Sequence, residues 1–496
     1  MSTRIRVALC LVAGAWAIGV ASFSVAADDD AGFKSLFNGK DLAGWDGNPK
    51  FWSVKDGVIT GQTTAENPTR GNTFLIWRLG SVDDFELRLS YRIVGGNSGI
   101  QYRSTDHGNW VVGGYQADFE AGQTYSGILY EERGRGILAQ RGEQVTIGSD
   151  GQKKATKIAD TAELQANIKA EDWNDYVITA SGNHLVHRIN GRVTADVTDE
   201  QVEKRAAAGV LALQLHAGPP MTVQFKNIRI KRTKLESAKK IVLVAGTPSH
   251  GPKDHEFNAG VLLLKKCLDA TPGVLAAAYL NGWPKDATAF DNADSILLYM
   301  DGGGGHPLIQ GDRLKEIGAL MDRGVGLACC HYAVEIPAER GGPELLKWIG
   351  GYYERPYSIN PHWTADFKDL PDHPITRGVR PFTILDEWYY NMRFPDDMKN
   401  VKSILVATPP DNTRNEAARK FPGRAEVVAW AAERPDGGRG FGFTGGHKHM
   451  NWGDDNFRKL VLNALVWTAK AEVPPAGVAS RIAPEELEKN LDPKGK

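Results

Sequence analysis

The chain has 496 residues, too many for one ordinary domain and enough for two large domains or three of average size. Hydrophobic residues make up 42% and charged residues 24%, which excludes a mostly disordered chain, a collagen or a coiled coil. The formal net charge is −1, so no excess of basic charge draws the chain to nucleic acid.

The opening segment reads as an export signal. Arg4 and Arg6 precede an apolar run from Val7 to about Val20, and Ser24-Val25-Ala26 offers small residues at a cleavage point. Residues 1–26 are therefore expected to be a signal peptide, and the product to be periplasmic or secreted, with no membrane insertion after its removal. An uncleaved anchor is the alternative, because the apolar run borders on spanning length. Only Cys267, Cys329 and Cys330 follow the signal, so the fold rests on its core rather than on disulfides. No CxxC pair offers a thiolate zinc site.

From Phe33 to Arg232 the pattern is β. Residues 85–93 alternate apolar and polar without a fault, as in a strand buried on one face. Asp56-Gly57 and Asn190-Gly191 separate short apolar runs and supply the positive φ angles of tight hairpins. Further strands are expected at 174–180, 209–216 and 222–231. Many short strands joined by turns predict an all-β sandwich or jelly roll at 33–232. On one expected strand Gln116, Asp118 and Glu120 share a face, and Gln101 and Arg103 share another by the same spacing. Asn97-Ser98-Gly99 sets short polar groups beside a residue that permits close approach. With Tyr125 and Tyr130 nearby, these groups would suit a carbohydrate cleft; a solvated sheet face is the plainer reading. Glu131-Glu132-Arg133 reads as a loop end carrying surface ion pairs.

A charged connector at 233–239 follows, and the grammar changes. Residues 241–246 form a continuous apolar run, suited to a strand buried on both faces. Runs at 294–300, 325–330, 402–407, 426–431 and 439–444 alternate with helical patterns that include Leu314–Met321 and Phe457–Leu465. An open α/β sheet is predicted over 240–470, with a Pro-, Lys- and Glu-rich tail at 471–496 that wraps the surface or frays. Four expected strand ends each deliver a histidine: His250 and His255, His306 after Asp301, His331, and His447. A structural role is the default for any one of them, and a shared polar pocket explains the four together. His331, Glu387 and His447 could form an acid/base group. A divalent metal held by His250, His255 or His306 is the rival, because imidazole suits transition metals.

Two resemblances add to this reading. Residues 33–45, 51–59, 84–87 and Gly96–Arg103 resemble the 3-keto-disaccharide hydrolase domain family, which has a concanavalin-like jelly-roll fold. Residues 239–470 resemble the trehalose-utilisation (ThuA-like) family, flavodoxin-like relatives of class I glutamine amidotransferases, through Ser249-His250-Gly251, His255–Gly260, the glycines before His306, the elbow at His331, Asp386–Tyr389 and Gly446-His447. The resemblances imply an exported two-domain carbohydrate-processing enzyme that takes a small-molecule or oligosaccharide substrate. A ketone at sugar C3 acidifies the C2 proton, a base such as Asp118, Glu120 or a His removes it, the C1 group leaves and water adds back. Asn97, Ser98, Arg103, Gln116, Tyr125 and Tyr130 in the first half, with Asp301 and His306 in the second, would bind substrate. No cofactor is fixed. The alternative is a non-catalytic sugar-binding jelly roll attached to a ThuA-like domain that is the only enzyme or is also a binding module. Glutamine hydrolysis is not expected, because His331 stands where the nucleophilic Cys belongs and Cys330 is one residue off.

Overall fold

The alternation at 85–93 becomes the strand Phe85–Val94, whose odd-numbered side chains are buried. Around it the computed structural model, which describes residues 30–494, builds two almost wholly antiparallel sheets of ten and seven strands. The expected signal at 1–26 lies outside the described residues. Among those described, no helix is long and apolar enough to cross a membrane. Both anticipated hairpins form: Lys55 pairs with Val58 and Ile189 with Arg192, and Asp56, Gly57, Asn190 and Gly191 all have positive φ. The sheets face one another across one aromatic core. Tyr91 of the larger sheet lies 3.9 Å from Phe119 of the smaller, ring centre to ring centre. The result is a jelly-roll sandwich.

The second half is an α/β sheet. Strands Val274–Tyr279, Lys239–Ala245, Ser295–Tyr299, Gly326–Cys330 and Arg439–Phe443 lie side by side and parallel, followed by Glu426–Glu433 and Val401–Ala407 running antiparallel. Counted in chain order the parallel strands run 2-1-3-4-5, the flavodoxin-like arrangement. Helices Phe257–Asp269 and Asp455–Thr468 cover one face, and Arg313–Asp322 and Gly342–Ile349 the other. Continuous apolar strands follow from that double cover: Leu243 and Val244 point to opposite faces and both are fully buried. A separate two-stranded ribbon, His362–Phe367 with Phe382–Glu387, sets Glu387 opposite His362.

The connector at 233–239 is no loose tether. The Thr233 amide donates to the Asp84 carbonyl, Leu235 is buried, and Lys239 already opens a strand. The tail does not fray within the described residues. Val473, Val478 and Leu487 are buried, and the His449 ring bonds the Leu487 carbonyl at 3.0 Å.

A dry charge network ties the sandwich to the α/β sheet. Lys240 Nζ lies 2.6 Å from Asp83, and Arg232 reaches both Asp83 (3.4 Å) and Asp286 (3.3 Å). Asn292 bonds Asp83 and Lys240, and Tyr279 donates to Asp286 at 2.9 Å. Burial opposes the Asp83 charge, but the Lys240 and Arg232 cations outweigh it and hold its carboxyl below the usual range. Lys240→Met would remove the closest cation from the buried Asp83 carboxylate and leave it only the longer contact to Arg232 and the Asn292 amide, so stability in urea should fall by up to about 3–5 kcal/mol; Asp83→Leu combined with Lys240→Met should recover most of that loss.

Candidate functional sites

The first site is a pocket of about 420 Å³ on the smaller sheet of the sandwich, lined by Asn72, Asn97, Gln116, Asp118, Glu120, Tyr125, Ile128, Tyr130, Glu132, Ile137, Gln214 and His216. Strand alternation turns Gln116, Asp118 and Glu120 to the same side. Asp118 is the most enclosed acid there, 5% exposed. Its carboxylate accepts from Asn97 Nδ2 at 2.8 Å and Gln116 Nε2 at 2.7 Å. A run of donors fixes that amide: Ser104 Oγ donates to Gln101, and Gln101 Nε2 donates to Gln116 Oε1 at 2.6 Å. Burial pushes the Asp118 carboxyl up to about 7; the two amides pull down against it, and the negative charges of Glu120 and Glu132 add to the rise. Glu120 accepts the Thr124 and Tyr125 amides at 2.6 and 2.9 Å and so shapes the loop that brings Tyr125 to the rim.

Three expectations from the sequence need correction here. Arg103 does not reach the pocket. A β-bulge between Tyr102 and Thr105 breaks the alternation, Arg103 takes φ 47°, and its guanidinium is buried against Asp84 (2.6 Å), the Asp83 carbonyl and the Gly182 carbonyl. Ser98 is fully buried and commits its only O–H to the Gln214 carbonyl at 2.7 Å, so it presents no donor or exposed atom to the pocket. Glu132 is no surface ion pair. It lines the pocket beside Asn72 and Gln214 (3.3 and 3.2 Å), and burial raises its carboxyl above the ordinary range. Asn72, Gln214 and His216 escaped the sequence reading because no local spacing joins them to Gln116.

The second site sits at the carboxyl edge of the parallel sheet. His331 follows strand Gly326–Cys330 at an elbow with φ 56°, His255 follows Lys239–Ala245, and His447 follows Arg439–Phe443. Glu387 ends its ribbon and faces them. His255 Nε2 lies 3.0 Å from His331 Nε2 and 3.0 Å from His447 Nδ1. Glu387 Oε2 lies 3.4 Å from His331 Nε2 and 3.2 Å from His447 Nδ1. The outer ring nitrogens are anchored: His255 Nδ1 on Asp301 at 2.9 Å, His331 Nδ1 on the Thr444 carbonyl at 2.9 Å, and His447 Nε2 near Asp254 at 3.5 Å. Tyr389, Asn360 and Asp254 are members that the sequence reading missed; Asn360 Nδ2 holds the other Glu387 oxygen at 3.0 Å.

The electrostatics are strongly coupled. Burial opposes the Glu387 charge, yet His331 and His447 outweigh it and hold the carboxyl far below its usual range. Burial likewise opposes a charged His447, and Glu387 outweighs it, keeping the ring above the ordinary imidazole value. Burial pushes His255 down to about 3 despite its bond to Asp301.

The remaining expected residues of this half fall as follows. His250 stacks on His255 with ring centres 3.6 Å apart and points Nδ1 toward Asp301 at 3.9 Å, outside the four-residue cluster. Asp301 orients His255 rather than lining a separate subsite. His306 belongs to no pocket with the other histidines. It is fully buried, Nε2 meets the Ala333 carbonyl at 3.1 Å, and Nδ1 accepts the Leu308 amide at 3.0 Å, so no ring nitrogen is left for substrate or metal. Cys330 is also fully enclosed, 3.6 Å from the Gly445 carbonyl, and burial drives its thiol up, away from the thiolate a nucleophile needs.

Comparisons with known proteins match this division. Residues 32–231 match the family model of the 3-keto-alpha-glucoside-1,2-lyase-like domain, and residues 287–468 match that of trehalose utilisation, in the order the sequence resemblances gave. The second match starts well after the first strand of its sheet, Lys239–Ala245. No curated protein matches the chain. Among solved structures, a protein described as a glycosyl hydrolase from Parabacteroides distasonis is 19% identical over 40% of this chain and 99% of its own, with TM-score 0.28. A carbohydrate binding module, CBM66 from Bacillus subtilis, is 15% identical over 38% of this chain and 95% of its own, with TM-score 0.27. A protein described as ThuA-like from Parabacteroides merdae is 17% identical over 48% of this chain and 92% of its own, with TM-score 0.35. Scores this low bear on neither substrate nor reaction.

Gly99 packs against the Gln116 side chain: a Cβ there would lie 2.5 Å from Gln116 Cδ. Gly99→Ala should displace the amide from Asp118 and cost about 1–3 kcal/mol of stability by overpacking. Urea unfolding together with sugar titration of the folded variant checks both effects.

Proposed function

We propose that this chain is an exported carbohydrate-processing protein whose sandwich cleaves 3-keto-glycosides, while the α/β half acts on or binds a related keto-sugar. The observation that carries the reading is Asp118, an enclosed carboxyl near neutral pKa among side-chain amides. The description of the matching family, a 1,2-lyase of 3-keto-alpha-glucosides, supports the same chemistry. The export part rests on the leader at 1–26.

In this reading the Asp118 carboxylate takes the proton from C2, made acidic by the neighbouring ketone. The electron pair moves into the C2–C3 enolate, whose oxygen is met by the Gln214 N–H that does not bond Glu132. The enolate then collapses into a C1=C2 double bond, the C1–O bond breaks, and the departing alkoxide takes the proton held by Asp118, which is left ionised. Asp118 then takes a proton from a water whose oxygen bonds to C1, and returns that proton to C2, completing the hydrolysis. The pocket amides match sugar hydroxyls as both donors and acceptors. Tyr125 and Tyr130 give flat faces for the ring.

The sign of the pH effect is fixed by the role of Asp118. The residue works only when ionised, so its active fraction falls about tenfold per pH unit below its pKa of about 7. The rate on a 3-keto-disaccharide should therefore rise with pH up to about 7 and then level. Asp118→Asn should lose about 10²–10⁴-fold in rate and the rising limb with it. Release of monosaccharide from the keto form but not from the unoxidised disaccharide would support the enzyme. Saturable binding of the keto form without turnover would instead make the sandwich a sugar-binding module.

A further inference from the structure

The second site has a feature that acid/base chemistry alone does not explain. A carbonyl oxygen only accepts, so His331 Nδ1 carries its proton toward Thr444. Asp301 likewise takes the proton of His255 Nδ1. In the neutral rings both Nε2 atoms then carry lone pairs that face each other at 3.0 Å; protein groups within reach of them include the Tyr389 hydroxyl, 3.4 Å from His331, and His447 Nδ1, 3.0 Å from His255. A proton between them would join that one pair and create a charged ring, buried among two other histidines. Glu387 Oε2 and His447 Nδ1 close the ring of donors. One cation at the centre would satisfy all four at once.

The dimensions fit. The four atoms lie within 4.8 Å of one another, and the ring edges are 3.0, 3.0, 3.2 and 3.4 Å. Edges of this length put a point equidistant from the four atoms roughly 1.9 Å away if they form a tetrahedron and about 2.2 Å away if they lie in a plane, a span that contains the roughly 2.0–2.2 Å of zinc–imidazole and zinc–carboxylate bonds. The outer nitrogens rest on Asp301, Thr444 and Asp254, the acceptors that fix tautomer and ring direction around a bound metal.

We propose that His255, His331, His447 and Glu387 bind one divalent first-row transition-metal ion, of which zinc is the reference case, and that its open side receives paired oxygens of an oxidised sugar. The metal part stands on the geometry alone; the sugar part rests on the function proposed above. His255 and His331 are fully enclosed, whereas Glu387 and His447 are partly open, so access is from their side. Exposed His250 and His362 and half-buried Tyr332 stand around that opening, with His362 4.9 Å from His447 and Tyr332 6.1 Å from His255, ring centre to ring centre. A ketone oxygen and an adjacent hydroxyl are neutral, hard donors that can share one cation.

The test uses the full chain stripped with a chelator. Zinc is titrated by calorimetry, and cobalt(II) is followed by its visible ligand-field absorption. One ion per chain, with cobalt bands of nitrogen and oxygen ligation, is the expected result. Glu387→Gln and His447→Gln should each weaken binding at least 100-fold, and Asp301→Asn by about 10–100-fold as a ring-orienting residue. Melting curves of the metal-free proteins separate lost ligands from lost folding, and Asp301→Asn keeps the question open to measurement if a ligand variant does not fold. No stoichiometric binding by the wild type, or affinity within threefold of wild type in both ligand variants, overturns the metal site. If cobalt binds but a 3-keto-disaccharide at saturating concentration leaves its spectrum unchanged, the sugar part falls and the metal site stands. The hydrolysis assay on Asp118→Asn reports separately on the sandwich.

Discussion

A parallel sheet covered on both faces leaves its polar side chains one way out. Along Lys239–Ala245, Ser295–Tyr299 and Gly326–Cys330 the inward positions are apolar because helices close both sides; the buried exceptions, Lys240 and Ser295, sit at the strand starts and are paired with Asp83 and Thr468. Functional groups are therefore pushed to the loops beyond the strand ends, and the 2-1-3-4-5 order opens a crevice between the loops of the first and third strands. His255 and Asp301 come from those two loops, and His331 and His447 from the next two strands across. Convergence of residues so far apart in the chain is a product of sheet topology.

The sandwich solves a different problem. An antiparallel sheet can keep one face dry and shape the other, and its alternation sets Gln116, Asp118 and Glu120 toward one hollow. A carboxylate this enclosed is tolerated because neutral amides supply its hydrogen bonds without cancelling its proton affinity. An arginine at the same distance would have driven Asp118 far below neutral. Arg103, on the neighbouring strand, is turned away by the bulge and paired with Asp84.

Much of the architecture was legible because it is periodic. Period-two alternation, Asp-Gly and Asn-Gly turns and unbroken apolar strands each have a local cause, so sandwich and α/β sheet could be read from composition and spacing. The sites were legible only in part. Asp118 and Gln116 share a strand, and the histidines share a position relative to strands. Arg103 was misread because it sits within a bulge, where a positive φ re-aims its side chain. His306 looked like its neighbours, and only its two satisfied ring nitrogens set it apart. Glu132 and Gln214 reach the pocket through strand pairing, with His216 just beyond the end of its strand, and no single stretch of sequence records that.

The packed tail has a consequence for how the molecule matures. Glu488 pairs with Lys253, the Asp492 amide bonds Glu256, and Lys494 reaches Glu256 and the Asp254 carbonyl, so residues far downstream clamp the loop that bears His255. Translation delivers these residues after every histidine of the cluster. A nascent chain still lacking them would hold the loop by fewer anchors, and the centre would reach its final shape only as a late, post-synthetic event.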